Sequence, residues 1–205
     1  MDKISHSEGG DRVTRLRSSP IRMKKEGLFQ KILNRATKRA KEQIQEPRVR
    51  EFNPKTDLES LLLWQEDLFT SNFQGFQLNI FFLKEQKRRL NEAACNPNEH
   101  AIYVLEIAPG ILGGFIWCRI YDTNEYGKFG SVEEIYLIPA LRGKGFGRRL
   151  MEKGEQYFKC RQAKSIKLLV TITNISAVNL YKNLGYSVTR WEMQKDLTTR
   201  EYKEV

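Results

Sequence analysis

Apolar residues first recur at helical spacing between Ile21 and Glu46, where Leu28, Phe29, Ile32, Leu33, Ala36, Ala40 and Ile44 form one stripe. Lys24, Lys25, Lys31, Arg35, Lys38, Arg39 and Lys41 fill most of the remaining positions, so the period predicts a basic amphipathic helix, closed by Pro47. Residues 1–20 hold Gly9, Gly10, Ser18, Ser19 and Pro20 among scattered charges and offer no face to bury, and they read as a disordered tail. Val49 to Phe52 predicts a strand. Thr56 or Asp57 caps a helix running to about Phe69, with Glu59 as the capping-box partner of Thr56. A second helix is expected from about Gln77 to Ala94. Ala101 to Ile107 and Ile111 to Tyr121 predict a hairpin turning at Pro109-Gly110, and Gly113-Gly114 marks a bulge or a close approach. Asp122 to Gly130 reads as a polar loop, and Val132 to Ile138 as a strand ended by Pro139. A helix then runs to Cys160, followed by a strand over Ile166 to Ile172, a short helix over Ser176 to Asn183 and a closing strand over Tyr186 to Leu197. This order predicts an α/β fold: a mixed, largely antiparallel twisted sheet flanked by helices, with a basic helical extension at the N-terminus.

The division expected is a tail over 1–20, an arm over 21–47 and a folded domain over 48–200. A chain of 205 residues suffices for one domain plus an appendage. Charge sharpens that division, because residues 1–50 hold 14 Lys/Arg against 6 Asp/Glu while the rest is nearly balanced, 21 against 19. The arm's apolar stripe packs on the domain or on a second copy, giving a homodimer, or its basic face meets nucleic acid or an anionic membrane surface. No aromatic interleaving or nucleic-acid motif supports the nucleic-acid partner. Cys95, Cys118 and Cys160 are odd in number and widely spaced, and His6 and His100 are isolated, so neither a disulfide framework nor a metal site is expected. No signal-peptide core stands at the N-terminus, and Glu106 with the Pro109-Gly110 turn divides the longest apolar stretch. The expectation is a soluble, cytoplasmic protein without a transmembrane segment.

Chemistry concentrates where the Val132–Ile138 strand meets the helix after it. Gly143, Gly145 and Gly147 let the main chain approach a ligand and leave the first helical N–H groups without partners, an anion site suited to phosphates. Arg142, Lys144, Arg148 and Arg149 add positive charge. Neither the Walker loop nor the dinucleotide fingerprint fits: Lys144 precedes Gly145 where Ser or Thr is needed, and Arg148 stands where the third glycine would fall.

Arg142-x-x-Gly145-x-Gly147 resembles the Arg/Gln-x-x-Gly-x-Gly/Ala signature of the GNAT superfamily of N-acetyltransferases. Downstream, Asn174-Ile-Ser-Ala177-Val-Asn-Leu180-Tyr181-Lys-Asn-Leu184-Gly185-Tyr186 resembles the superfamily's Asn-x-x-Ala-x-x-Leu-Tyr-x-x-Leu-Gly-Tyr/Phe stretch at every position. The likeness is most specific over residues 131 to 197. It implies an acetyl-CoA-dependent N-acetyltransferase acting on a primary amine, either a polyamine or another small cationic amine, or a protein N-terminus or lysine. It implies that Arg142, Gly143, Lys144, Gly145, Phe146, Gly147 and Arg148 hold the pyrophosphate, that backbone at Leu137 and Ile138 and the side chain of Asn174 hold the pantetheine arm, and that the first two helices line the acceptor site. Phe73 and Phe76 are then candidates for acceptor contact, as Phe81 and Phe82 are, with plain core as the other reading. A cofactor-binding but non-catalytic protein, acting through its basic arm, is the alternative.

Acyl transfer to an amine needs an unprotonated nucleophile, a stabilised oxyanion and a protonated leaving thiolate. A lysine-like amine, with a reference pKa of ~10.4, is uncharged in about four molecules in ten thousand at pH 7, so a base is required. The resemblance gives that role to Glu133, through water, with Glu134 contacting the substrate or serving as the base instead. Strand alternation sends the two carboxylates to opposite faces unless a bulge intervenes. The resemblance also gives a main-chain N–H at Leu137 to the thioester oxygen, and Tyr181 to the thiolate as proton donor and cofactor contact. Asn174 fits a helix cap equally well, and Tyr181 a core tyrosine.

Overall fold

The computed structural model describes residues 46–73, 75–193 and 195. The tail over 1–20 and most of the arm over 21–47 lie outside the described residues.

The elements are β1 Arg48–Glu51, α1 Leu58–Asn72, α2 Ile80–Cys95, β2 His100–Ala108, β3 Ile111–Thr123, β4 Gly127–Leu137, a turn of 3-10 helix Pro139–Leu141, α3 Phe146–Cys160, β5 Ile166–Leu168 and α4 Ile175–Asn183. The strands lie in the order β1-β2-β3-β4-β5, all neighbours antiparallel except the parallel pair β4 and β5. This is the mixed, largely antiparallel α/β architecture that the pattern predicts.

Alternation along β3 separates two packed faces. Ile116, Cys118 and Ile120 join Val132 of β4 and Leu150, Met151 and Phe158 of α3 in one core. On the opposite face, Trp64 of α1 stacks on Phe115 and Tyr136, with ring centroids 6.1 and 5.3 Å apart. Leu61 and Leu90 are fully buried in α1 and α2. The sheet is thus sandwiched, with α3 on one side and α1 and α2 on the other.

Several boundaries differ from the sequence reading. No capping box starts α1: Asp57 occupies the N-cap without a side-chain cap bond, because its carboxylate accepts from Arg50 at 2.6 and 3.0 Å and from the Asn53 N–H at 2.8 Å. Asn79 does cap α2, accepting from Phe82 N–H at 2.9 Å, so that helix begins at Ile80 rather than Gln77. The polar loop expected over Asp122 to Gly130 is mostly strand, since Tyr121 stacks on Phe129 at 5.2 Å and Asp122 meets Lys128 at 3.8 Å across the ladder. Gly113 has no pairing partner on β2 where β2 and β3 shift register between Leu105 and Glu106, as the glycine pair suggested.

The end of the sheet carries the larger correction. The strand predicted over Ile166 to Ile172 stops at Leu168, and Leu169 is 93% exposed. Residues 186–193 and 195 form no strand, contrary to the closing strand expected over Tyr186 to Leu197. An apolar alternation becomes a strand only against a partner's ladder, and the β5 ladder ends after three residues.

Candidate active site

β4 pairs with β5 only at Gly130, Ser131 and Val132. Beyond Val132 the β5-side edge of β4 has no strand paired to it among the described residues, and Glu133 to Leu137 lie along this open edge. Ile138 N–H donates to Gly113 O at 2.9 Å, so Ile138 faces β3. Main-chain groups alternate sides along an antiparallel ladder, which turns the Leu137 N–H and carbonyl toward the open edge. That carbonyl accepts from Arg142 Nε at 3.0 Å. Ile138 has both main-chain groups engaged, its carbonyl accepting from Leu141 N–H at 3.0 Å, which leaves the Leu137 N–H as the better placed of the two donors.

The glycine loop opens α3 as expected. Gly145 is the N-cap at φ 83°, a left-handed conformation, and no side chain among the described residues caps the helix. The N–H groups of the first turn therefore point out without intrahelical partners. A Cβ on Gly147 would stand 3.0 Å from Leu180 Cδ2, so this glycine serves the approach of α4. Lys144 is exposed. Arg148 spans to Glu152 at 3.8 Å and to Asn183 O at 3.4 Å, and Phe146 lies beneath Arg149 at 5.7 Å. Arg142 also donates to Asp67 Oδ2 at 3.0 Å, the atom that accepts from Tyr136 O–H at 2.7 Å.

Register governs the acids. Trp117 pairs with Glu134 and Cys118 with Val132, so Glu133 is the extra residue of a β-bulge. A bulge breaks strict alternation, and both carboxylates emerge on the α1/α2 face. Arg89 of α2 stands 4.0 Å from each of them. Glu133 accepts from Tyr121 O–H at 3.4 Å. Glu134 is 8% exposed, and its Oε2 accepts from Gln65 Nε2 at 3.0 Å. Its Oε1 has no hydrogen-bond partner among the described residues. Burial, partly offset by Gln65 and Arg89, pushes the Glu134 carboxyl up to about 7.

The remaining site residues are placed as follows. Asn174 caps α4, accepting from Ala177 N–H at 3.2 Å, while its Nδ2 lies 3.5 Å from Asn72 Oδ1. Tyr181 is buried in the α3-side core, with its ring 6.0 Å from that of Tyr186, and burial raises its phenol to about 12. Phe73 and Phe76 gather around Phe69 at 5.4 and 5.2 Å, with Phe82 against Phe69 and Phe76 at 4.7 and 4.9 Å. The structure brings Glu133 and Glu134 together, and Leu137 with Arg142; the Phe73/Phe76 cluster forms a separate aromatic group.

Gln65, Asp67, Arg89, Tyr121 and Tyr136 escaped the sequence reading. A signal existed for the first: Gln65 lies one turn after Leu61 on the buried face of α1, where an apolar residue would be expected.

The model of the acetyltransferase (GNAT) family matches residues 58–186. The chain belongs to that family. It is 32% identical over 147 residues to a mycothiol acetyltransferase of Thermobispora bispora, spanning 70% of this chain and 47% of the relative. It is 28% identical over 137 residues to an uncharacterised N-acetyltransferase of Methanocaldococcus jannaschii, spanning 64% of this chain and 57% of that protein. The chain thus spans about half the length of the curated relatives it matches. A Clostridium acetobutylicum acetyltransferase solved with acetyl-CoA superposes with a TM-score of 0.61 at 20% identity, over 77% of this chain and all of that one, a likeness of fold. No described helix of this GNAT protein is long and apolar enough to cross a membrane.

Proposed function

We propose that this GNAT protein is an acetyl-CoA-dependent N-acetyltransferase acting on a primary amine. The observation that carries the reading is the bulge at Glu133, which sets two carboxylates on one face beside the open edge of β4.

The residues present suit acetyl-CoA. The uncapped N-terminus of α3, with Gly143, Gly145, Lys144 and Arg148 around it, suits a pyrophosphate, and the open edge at Leu137 suits the amide groups of a pantetheine arm. When bound, the cofactor supplies an acetyl group as a thioester, and the chain's own residues handle the protons.

Glu134 takes the proton from the acceptor ammonium. Its carboxyl near pH 7 matches the working range of a general base, and Oε1 is the atom without a hydrogen-bond partner among the described residues. Glu133, oriented by Tyr121, holds the ammonium as its charge is lost. These roles reverse the order that the resemblance gives to the pair, on the ground that burial raises Glu134. The Leu137 N–H faces the open edge, where it can receive developing negative charge. Tyr181 gives a proton to the leaving thiolate as the C–S bond breaks, and the second proton that the nitrogen sheds on becoming an amide restores the phenol, so that the net proton released leaves through Glu134. A phenol raised to about 12 acts only in concert with bond cleavage.

The test is acetyl transfer from acetyl-CoA to a panel of amines, with thiol release as the readout. Glu134→Gln is expected to lower kcat about 10²- to 10⁴-fold and to remove the limb of the pH–rate profile near neutrality. Glu133→Gln is expected chiefly to raise the acceptor KM. A Glu134→Gln protein with wild-type kcat and an unchanged profile would overturn the assignment.

A further inference from the structure

Trp117, Glu133 and Glu134 lie side by side on one face of the sheet, an aromatic ring beside two carboxylates. That combination binds ammonium groups, through the ring's quadrupole and through charge. Here a cation of the chain itself occupies it. Arg89 Cζ lies 4.8 Å from the centroid of the Trp117 ring, and its two terminal nitrogens reach Glu133 Oε2 and Glu134 Oε1, each at 4.0 Å. Gln86 Oε1 accepts from Arg89 Nη1 at 3.3 Å and steadies the head group from one turn earlier on α2. Gln86 is 2% exposed, so its amide is a fixed support. A second guanidinium, Arg119, lies 4.5 Å over the ring of Tyr121, the residue that donates to Glu133.

We propose that Arg89 is a specificity-determining residue that fills the seat of a second substrate cation, so that the enzyme acts on amines carrying one positive charge and gives no advantage to diamines or polyamines. This rests on the amine-acetyltransferase reading and narrows it, because two adjacent acids alone would suit polyamines. The pair is not a bare dianion: Arg89 offsets one charge, which leaves at most one for the ammonium that reacts. A second cation on the acceptor would have to displace Arg89 from both its ring and its carboxylates. The Arg89 side chain is 36% exposed, which makes its removal tolerable to the fold.

The experiment uses the full chain at saturating acetyl-CoA and compares kcat/KM for n-butylamine and 1,4-diaminobutane, matched in length. In the wild type the diamine should gain no more than the factor of about two expected from its two equivalent amines. Arg89→Ala should raise the diamine-to-monoamine ratio about tenfold, equivalent to about 1.4 kcal/mol. The gain should lie in KM for the diamine and shrink as salt is added. Arg89→Lys, which keeps the charge, should leave the ratio near its wild-type value and so separates charge from packing. A wild type that strongly prefers the diamine overturns the proposal, as does a ratio unmoved in Arg89→Ala while both amines are acetylated. Acetylation of neither amine overturns the amine reading itself, and the role of Arg89 with it.

Discussion

Glu134 sits where its charged form is penalised. Only 8% of the residue is exposed, and the Gln65 amide and the Arg89 guanidinium at 4.0 Å offset only part of the cost of burial. Its carboxyl is raised to about 7, so the folded protein holds this proton more tightly than the unfolded chain does. Stability from this group is therefore complete below the unfolded pKa of ~4.3 and declines as pH rises through about 7, by about 3–4 kcal/mol in all. Glu134→Gln keeps the size and removes the ionisation. Denaturant titration should find the variant more stable than wild type by about 2–3 kcal/mol at pH 8 and equal to it near pH 4. Equal stabilities at both pH values would show that burial does not set this carboxyl. Together with the expected loss of turnover, a gain at pH 8 would identify a residue kept for chemistry at the expense of the fold.

At the scale of elements, the β4-loop-α3 unit is the framework on which the site is built, and Gly145 is its hinge point. With φ at 83° and no atom of the described residues within 4 Å of where a Cβ would stand, the position is demanding in backbone conformation while sterically open. Gly145→Val should weaken acetyl-CoA binding at least about tenfold by calorimetry, because a β-branched residue there costs about 1–3 kcal/mol of strain or displaces the first turn of α3. Gly145→Asn, which tolerates the left-handed region, should bind much more nearly as wild type. Equal loss in both variants would mean that the glycine is needed for close approach of the ligand. This unit was legible in the sequence because its signals are local: a β-branched run, a proline stop and three glycines before an amphipathic helix. The bulge was not, because it depends on how Trp117 and Cys118 register against residues some fifteen positions later. Nor was Arg89, whose relation to Glu133 and Glu134 arises only when α2 crosses the sheet. The strand expected over Ile166 to Ile172 failed for the same reason. Its apolar composition was read correctly, but the length of a strand is set by its partner, and β4 keeps company with β5 for three residues only.

Across the whole molecule, the β1 edge of the sheet is tied to α1 by a charged cluster. Arg50 of β1 makes a bidentate contact with Asp57 at 2.6 and 3.0 Å and reaches Glu106 of β2 at 3.4 Å, while Arg48 Nε donates to Glu106 at 2.7 Å. Burial opposes ionisation of both acids, yet the hydrogen bonds win: those from Arg50, the Asn53 N–H and Thr56 hold Asp57 below the usual carboxylate range, and those from the Gly110 N–H, Arg48 and Arg50 do so for Glu106. With depressed folded pKa values, both acids contribute stability that is fully present above about pH 4 and lost as pH falls through the folded values. The protein is thus pulled in opposite directions by its acids, with Glu134 favouring lower pH and the Asp57/Glu106 cluster favouring higher. Stability should accordingly peak in mildly acidic solution, between the two regimes. Asp57→Asn breaks the bidentate pair and leaves Arg50 half-buried with weaker partners. It should cost about 2–4 kcal/mol at pH 7, lowering Tm by roughly 5–15 °C for a chain of this size. Its stability should also fall less steeply than wild type's below pH 4. If the variant instead tracks the wild-type acid limb in parallel, Asp57 titrates alike in the folded and unfolded chains, and α1 is anchored to the sheet by its other contacts, the packing of Trp64 and Leu61 and the hydrogen bonds of Gln65 and Asp67 to β4.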